Sequence, residues 1–305
     1  MRAIRYHAFG GPEQVCSDDI ALPEARAGEM LVDVAATSVN PADWKIGAGY
    51  LRGVIDYPLP FVPGLDFAGT VRVPSSPFAV GDAVYGALPL DRIGTYADVI
   101  SVPAAVAALA PRSIPLTMAA AVPLAALTAW HATLGADHAN VQRGQTVLIH
   151  GAAGGTGMFS VQFAKWRGAR VLATASAENA DYVRGLGADV VIDYCNERFE
   201  GIARDLDAVV DLVGGDVQAR SLPLLRAGGV LTSIVAQPPP APSVRTTLMN
   251  AGSRDPAILA QVAELIDSAH VRVHVTEIVP LAEAGAALAR NRAGHARGKV
   301  VVRVL

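Results

Sequence analysis

Residues 145–176 read QTVLIHGAAGGTGMFSVQFAKWRGARVLATAS, and they carry the strongest local pattern in the chain. The short apolar run Gln145–His150 is typical of a buried strand. A cluster of glycines follows it, at Gly151, Gly154, Gly155 and Gly157. The next segment predicts a helix over Gly157–Arg167 and then a strand over Arg170–Ala175. This order of strand, glycine bend, helix and strand indicates the first half of a doubly wound parallel sheet.

A glycine bend between a strand and a helix suits a dinucleotide. The diphosphate must come close to backbone N–H groups at the helix N-terminus, where the helix dipole favours negative charge. Side chains would block that approach, which explains the need for glycine. We therefore predict that a nicotinamide dinucleotide binds at this bend, at Gly151, Ala153, Gly154, Gly155, Thr156 and Gly157. The alternative is a tight turn that binds no ligand.

The end of the second strand bears on the choice of coenzyme. NAD sites usually place Asp or Glu there, to bind the ribose hydroxyls. This strand instead carries Thr174 and ends at Ser176, and small hydroxyl side chains leave room for a 2′-phosphate. NADPH is therefore the predicted coenzyme. Glu178 would repel that phosphate if it pointed inward, so NADH is not excluded.

The character of the sequence changes along its length. Residues 1–110 contain short β-like runs separated by Pro and Gly turns, which is typical of a compact, mostly antiparallel β domain. From about residue 116 helices and strands alternate, which predicts a parallel sheet covered by helices. We predict a β-rich domain over 1–116, to which 273–305 return, and a nucleotide-binding domain over 117–272. The predicted fold class is α/β.

Composition excludes several classes of protein. The chain has 305 residues, of which 51% are hydrophobic and 17% charged, so it can bury a substantial core. A formal net charge of −3 lacks the basic footprint of a nucleic-acid binder. Two cysteines, Cys16 and Cys195, cannot form a disulfide framework. With neither a signal-peptide pattern nor a long apolar stretch, we expect a cytoplasmic protein without a membrane partner.

Further blocks support a family resemblance along nearly the whole chain: FGGPE (9–13), SVNPADWKIGAGY (38–50), PGLDFAGTV (63–71), VGDAVYG (80–86), PLAALTAWHA (123–132) and GHARGKVVV (294–302). With the glycine bend, they resemble the medium-chain dehydrogenase/reductase superfamily, and within it the zinc-free quinone oxidoreductase (zeta-crystallin-like) branch. The resemblance implies a GroES-like β-rich domain with substrate contacts, a Rossmann domain that binds NADPH, and a homodimer.

The resemblance also assigns roles to single residues. Asn40 matches a residue on the nicotinamide side, Thr128 one at the nicotinamide and phosphate end, and Lys299 one that often reaches the coenzyme. Tyr194 matches a tyrosine near the adenosine 2′-phosphate. Two more positions border the nicotinamide, at Val213 and Val235. Tyr50 lies one residue away from the place where related enoyl reductases carry a catalytic tyrosine, although a surface or cleft-lining role explains it better.

The residues also bear on the chemistry. Where zinc-dependent relatives have a G-H-E motif, this chain has Gly64-Leu65-Asp66, so no metal site is expected. Reduction of a simple carbonyl builds an alkoxide that needs a Lewis acid, whereas a conjugated enone or quinone spreads the charge. We therefore predict a quinone or enone as substrate. An enoyl-thioester or a secondary-metabolite enoyl reductase is the alternative, and a non-catalytic NADPH-binding sensor is another.

Overall fold

The computed structural model describes residues 1–250, 252–294 and 296–305. The strands of these residues are, in chain order, β1 (Arg2–Tyr6), β2 (Val15–Asp19), β3 (Glu29–Ser38), β4 (Asp66–Val73), β5 (Ala83–Ala87), β6 (Val99–Pro103), β7 (Ala107–Leu109), β8 (Thr146–His150), β9 (Arg170–Ala175), β10 (Val190–Asp193), β11 (Leu206–Asp211), β12 (Leu225–Ser233), β13 (Arg245–Leu248), β14 (Val275–Pro280) and β15 (Lys299–Arg303). The helices are α1 (Pro41–Gly47), α2 (Leu116–Ala119), α3 (Pro123–Leu134), α4 (Gly155–Trp166), α5 (Ala180–Gly185), α6 (Asp216–Ser221), α7 (Pro256–Asp267) and α8 (Ala284–Ala293). None of these helices combines the length and the apolar character that crossing a lipid bilayer requires.

The chain divides into two compact units. The first comprises Met1–Leu124, Arg254–Ser268 and Val273–Leu305, and the second comprises Ala125–Ser253 and Ala269–Arg272. These limits differ from the domains predicted from the sequence mainly in α7, which lies within the predicted range 117–272 but belongs to the first unit. Its Leu259 carbonyl accepts the hydroxyl of Tyr85 at 2.6 Å. A helical pattern in the sequence does not reveal which unit the helix packs against.

The first unit is built on a seven-stranded sheet. Its strands run in the order β14-β15-β3-β4-β5-β7, and β6 also pairs with β3. The pairs are antiparallel except β14 with β15, which confirms the predicted mostly antiparallel sheet, and β15 at the end of the chain pairs with β3. Along β3 the buried side chains Met30, Val32 and Val34 alternate with more exposed ones, so one face of the strand enters the core.

The second unit contains a six-stranded sheet in which every pair is parallel. Its order is β10-β9-β8-β11-β12-β13. Counted within this sheet, the order is 3-2-1-4-5-6, which is the Rossmann arrangement. The order in which strands are added to the sheet reverses between β8 and β11. Ligands of such folds bind at the carboxyl ends of the strands at this switch point. The predicted doubly wound parallel sheet is confirmed.

Some elements differ from the sequence-based predictions. Helix α4 begins at Gly155 rather than Gly157, and β12 covers Leu225–Ser233 rather than Val230–Val235. Six elements were not predicted, namely β2, β13, β7, α1, α6 and α7. The first two are short, and their side chains are partly exposed, so alternation is weak. Helix α7 did carry signals, since Asp255 accepts the Ala257 N–H at 2.9 Å as its N-cap and a proline follows at the first helical position.

Candidate coenzyme site and buried polar cluster

In the second unit the glycine bend joins the end of β8 to the start of α4. Gly151 has a φ of +71°, which favours glycine. A Cβ on Gly157 would lie 2.3 Å from the Gly151 carbonyl oxygen and 2.7 Å from the Ala152 Cα, so the helix packs on the bend only without a side chain there. A Cβ on Gly154 would come no closer than 3.5 Å to the Gly151 oxygen, so the space beside Gly154 is open.

The start of α4 has the donors that an anion requires. Its N-cap, Gly154, has no side chain to accept from the first turn, and the first bond of the helix runs from the Met158 N–H to the Gly154 carbonyl at 2.9 Å. Within the described residues, the N–H groups of Gly155, Thr156 and Gly157 take no hydrogen-bond partner. Free amides at the positive end of a helix dipole fit the diphosphate of a dinucleotide.

Side chains behind the bend hold it in place. The Thr174 hydroxyl accepts the Gly151 N–H at 3.3 Å and lies 3.2 Å from the Nδ1 atom of His150. The Ser221 hydroxyl donates to the Val217 carbonyl at 2.6 Å, so the Nε2 atom of His150, 2.9 Å away, is the donor to Ser221. Burial lowers the pKa of His150 to about 4, which keeps the ring neutral at pH 7. Thr174 is buried, and its hydroxyl is engaged at the bend.

Asp211, at the end of β11, organises the next turn, and we did not predict it from the sequence. Its Oδ1 accepts the N–H groups of Val213 at 2.9 Å and Gly214 at 2.8 Å. Its Oδ2 accepts from Gln218 at 2.9 Å and Ser233 at 2.7 Å. Burial works to raise the pKa of Asp211, but these hydrogen bonds outweigh it and hold the pKa below its usual value. The sequence did contain a signal for this role, because an acid at a strand end is followed shortly by the paired glycines Gly214 and Gly215.

The turns after β11 and β12 meet the glycine bend. A Cβ on Gly151 would lie 3.0 Å from Val213, and one on Gly214 would lie 2.8 Å from Val235. Both valines are about half exposed, at 54% and 51%. Three predicted coenzyme contacts, Gly151, Val213 and Val235, thus come together at the switch point of the sheet.

The predicted 2′-phosphate residues lie beside the end of β9. The Ser176 hydroxyl accepts the side-chain amide of Asn179 at 2.9 Å and is partly exposed. The backbone N–H of Tyr194 donates to the carbonyl of Ala175 at 3.2 Å. This places the tyrosine, whose exposure is 55%, next to the end of β9. Glu178 is exposed in the same turn. A hydroxyl, a phenol and a carboxylate thus share this end of the sheet.

In the first unit, Asn40 and Lys299 come together although 259 positions separate them. The Lys299 ammonium donates to the Asn40 Oδ1 at 2.5 Å and to the Val39 carbonyl at 2.9 Å. Both residues are buried, with relative exposures of 4%. Asn40 is the N-cap of α1, and its backbone N–H donates to Asp43 at 2.8 Å. The sequence supplied both residues but not their contact.

The carboxylate of Asp66 joins this cluster, and the sequence did not reveal its role. Its Oδ2 accepts the Ser38 hydroxyl at 2.6 Å and the Asn40 side-chain amide at 2.7 Å, and lies 3.5 Å from the Lys299 nitrogen. Its Oδ1 accepts the Leu124 N–H at 2.7 Å. Asp66 is the acid of the Gly64-Leu65-Asp66 segment, and it is fully buried.

Asp43 is a second buried acid beside this cluster. The Tyr96 hydroxyl donates to its Oδ2 at 3.2 Å, and among the described residues its Oδ1 has no partner. Burial raises the pKa of Asp43 to about 7, and the charge of Asp66 adds to this effect. Burial also lowers the pKa of Lys299, against the pull of both acids.

Two predicted residues lie apart from these contacts. Tyr50 follows α1 in an exposed turn, with 66% of its surface accessible, and its ring meets the edge of Trp44 at a centroid distance of 6.0 Å. Thr128 is partly buried in α3. The contacts described for Tyr50 and Thr128 include no charged side chain, so they do not mark either residue as catalytic.

The described residues offer no metal centre. Among them, no group of three or more His, Cys, Asp or Glu side chains is arranged to hold a metal ion. Both cysteines are exposed and unpaired. Asp66 already accepts from three hydrogen-bond donors, so it is poorly placed to serve as a metal ligand.

Comparison with known proteins agrees with this geometry. Residues 26–112 match the alcohol dehydrogenase GroES-like domain, and residues 186–302 match a family described as zinc-binding dehydrogenase. An NADPH-dependent alkenal/one oxidoreductase of Arabidopsis thaliana is 31% identical over 99% of this chain and 79% of its own. A 2-methylene-furan-3-one reductase of Solanum lycopersicum is 34% identical over 78% of this chain, and the match spans 64% of the tomato protein. The quinone oxidoreductase of Coxiella burnetii superposes with a TM-score of 0.89, at 32% identity and coverage of 100% and 99%.

Proposed function

Because the chain belongs to the quinone oxidoreductase family of medium-chain dehydrogenases/reductases, we propose that it transfers hydride from NADPH to a quinone or conjugated enone without a metal ion. The observation that carries this proposal is the glycine bend, where α4 begins with free amides, Gly151 lies against Val213, and the turn of Val213 lies against Val235 through Gly214. Family membership makes the chain an oxidoreductase, so a sensor without turnover is not the function we favour.

NADPH supplies the hydride when it is bound; the protein's residues bind and orient it. The N–H groups of Gly155, Thr156 and Gly157 would hold the diphosphate, beside Gly151 and Ala153 of the bend. Val213 and Val235 would give the nicotinamide end an apolar surface that excludes water. Asp211 fixes the position of Val213 through its backbone N–H.

The substrate class follows from what the described side chains can and cannot do. They offer no metal-ligand cluster, and the one candidate donor, Tyr50, has an ordinary exposed position. A quinone or conjugated enone needs little help, because the incoming charge spreads to a distant oxygen that water can protonate. The names of the tomato and Arabidopsis relatives, which are enone and alkenal/one reductases, support this class.

Steady-state NADPH oxidation against a panel of quinones and conjugated enones tests the proposed reaction. We expect turnover with several of them and none with saturated ketones, which need stronger polarisation. Tight binding of NADPH with no turnover on any acceptor would contradict the proposal. Preference for an enoyl-thioester over the matching free enone would favour the alternative, an enoyl-thioester reductase or a tailoring enoyl reductase of secondary metabolism.

We propose NADPH rather than NADH on the basis of the strand end at Ser176 and Tyr194. A hydroxyl and a phenol can donate to a 2′-phosphate, whereas no carboxylate occupies the strand end itself. Glu178, in the turn after this strand end, carries a negative charge that would oppose binding of the 2′-phosphate. We expect higher kcat/KM with NADPH, and Glu178→Gln should increase that preference, because it removes a negative charge near the phosphate. A higher kcat/KM with NADH in both proteins would reverse the assignment.

We also propose that the protein is a cytoplasmic homodimer. Family resemblance supports the dimer, and two exposed, unpaired cysteines suit a reducing compartment. Light scattering during gel filtration should give twice the mass of 31.6 kDa. Fractionation of the source cells should recover the activity with cytoplasmic markers. A monomer, or activity in another fraction, would contradict the corresponding part of the proposal.

A further inference from the structure

The amide of Asn40 is held between two opposite charges. The Lys299 ammonium can only donate, so it must face the Asn40 Oδ1, whereas the Asp66 oxygens accept from their neighbours, so they face the Nδ2. The two contacts, at 2.5 and 2.7 Å, are in the range of charge-assisted hydrogen bonds. The side chain of Asn40 therefore has one permitted orientation. Reversing it would place its NH₂ group against the Lys299 ammonium and its oxygen against the Asp66 carboxylate.

This arrangement is costly for the fold. Lys299 and Asp66 have side-chain exposures of 5% and 0%, and their charged atoms are 3.5 Å apart. Removing two charges from water costs free energy that a buried pair does not always recover, and apolar residues of similar volume are often equally stable. An ordinary core would not need such a pair to hold one asparagine. Its presence points to a demand for orientation rather than for stability.

We propose that Asp66 is a positioning residue, which acts with Lys299 to fix the orientation of the Asn40 amide for the coenzyme. The proposal rests on the function proposed above and on the family resemblance, which makes Asn40 a coenzyme contact. Asp66 itself touches Ser38, Asn40 and the Leu124 N–H and lies 3.5 Å from the Lys299 nitrogen, so it acts on the coenzyme through Asn40 and its partner Lys299.

Asp66→Asn tests this inference. The introduced side chain must turn its oxygen to the Leu124 N–H, which leaves its NH₂ group facing the Asn40 amide and the Lys299 ammonium. Asn40 can then no longer satisfy both neighbours. We expect coenzyme affinity, measured by fluorescence titration of NADPH, and kcat/KM each to fall by about tenfold or more, as misplacement of a binding group does. Thermal stability should fall as well, because the Lys299 charge is left unpaired.

The double variant Asp66→Asn/Lys299→Met separates orientation from stability. Methionine removes the unpaired charge, so the amide of Asn40 can settle in the reversed orientation, with its oxygen towards the NH₂ group introduced at position 66. We expect thermal stability to recover relative to Asp66→Asn, while coenzyme affinity and kcat/KM stay below those of Lys299→Met alone, in which Asp66 still orients Asn40 and any direct contact of Lys299 with the coenzyme is already lost. Recovery of affinity together with stability would show that the pair serves the fold alone, and this would overturn the inference.

Thr37→Val is the matched control. Thr37 is buried beside the cluster, and its hydroxyl donates to the backbone carbonyl of Asp66 at 2.6 Å rather than to the carboxylate. We expect it to lower stability and to leave coenzyme affinity near the wild-type value. Equal losses of affinity in Thr37→Val and Asp66→Asn, at equal losses of stability, would also overturn the inference. If wild type turns over no acceptor, the proposed function fails, and the affinities of the variants still decide the role of Asp66.

Discussion

At the scale of single residues, glycines and buried acids set the geometry of both units. Gly157 is required because its Cβ would overlap the backbone of the bend, whereas Gly154 leaves open space that a ligand can fill. Asp66 and Asp43 are both fully buried yet differ in surroundings, since Asp66 faces an ammonium and Asp43 faces a phenol. Their roles follow from these neighbours, and an acidic residue in the sequence does not reveal them.

Alanine substitutions at the two glycines should have different effects. Gly157→Ala forces a methyl group to within 2.3 Å of a carbonyl oxygen, so we expect loss of stability and of coenzyme binding together. Gly154→Ala should fold normally, because its methyl meets nothing closer than 3.5 Å, but should weaken NADPH binding by occupying the diphosphate space. Thermal unfolding and fluorescence titration measure the two effects. Unchanged affinity in Gly154→Ala would place the diphosphate elsewhere.

The buried acid Asp43 should make stability depend on pH. The folded protein holds its proton up to about pH 7, whereas the unfolded chain releases it near the ordinary value of 3.8. Stability therefore falls as the pH rises between these values, by at most about 1.4 kcal/mol per pH unit for one proton. We expect Asp43→Asn to remove this slope in urea titrations from pH 4 to 8. The exposed Asp56→Asn serves as control and should retain it.

At the scale of elements, the carboxyl ends of β8, β9, β11 and β12 carry the candidate coenzyme residues. Alternating strands and helices place these ends on one edge, so residues distant in the sequence become neighbours there. Asp211 shows how the edge is organised, since one carboxylate fixes the turn after β11 and accepts from Ser233 at the end of β12.

Asp211→Asn should therefore disturb both stability and coenzyme binding. An asparagine cannot accept from both backbone N–H groups and from Gln218 and Ser233, so a buried donor loses its partner. We expect a loss of about 1–3 kcal/mol in the free energy of unfolding, and a higher KM for NADPH. Asp207→Asn is the control at the opposite end of β11, where Asp207 accepts the Thr146 N–H at 2.7 Å. It should lower stability without raising that KM, and a raised KM in both variants would contradict the assignment.

At the scale of the whole molecule, the chain leaves the first unit and later returns to complete it. The first unit takes up α7 and the last two strands, so its core includes residues from both ends of the sequence, such as Met30 and Val302. Such long-range packing is slow to form but leaves the nucleotide-binding sheet as one continuous stretch of chain, from β8 to β13.

The metal-free reaction proposed above has to be tested on the intact protein, because one matching family is described as zinc-binding. Since the described residues lack a ligand cluster, we expect substoichiometric zinc by elemental analysis and an unchanged kcat after dialysis against a chelator. Loss of activity on chelation with recovery on added zinc would show that the proposed metal-free reaction is wrong.

Local sequence patterns were enough to predict the fold class, the glycine bend and the strands that flank it. These features depend on the spacing of apolar residues, on turn residues and on positions that require glycine. All of them act between neighbouring positions, so a short window of sequence contains them. Motif resemblance also placed Asn40 and Lys299 among the candidates. The folded chain was needed to show that Lys299 and Asp66 both bind the Asn40 side chain and that Asp211 holds the turn after β11. It also showed that α7 belongs to the first unit. Such contacts join distant segments, and their energy depends on burial and on partners that no local pattern specifies.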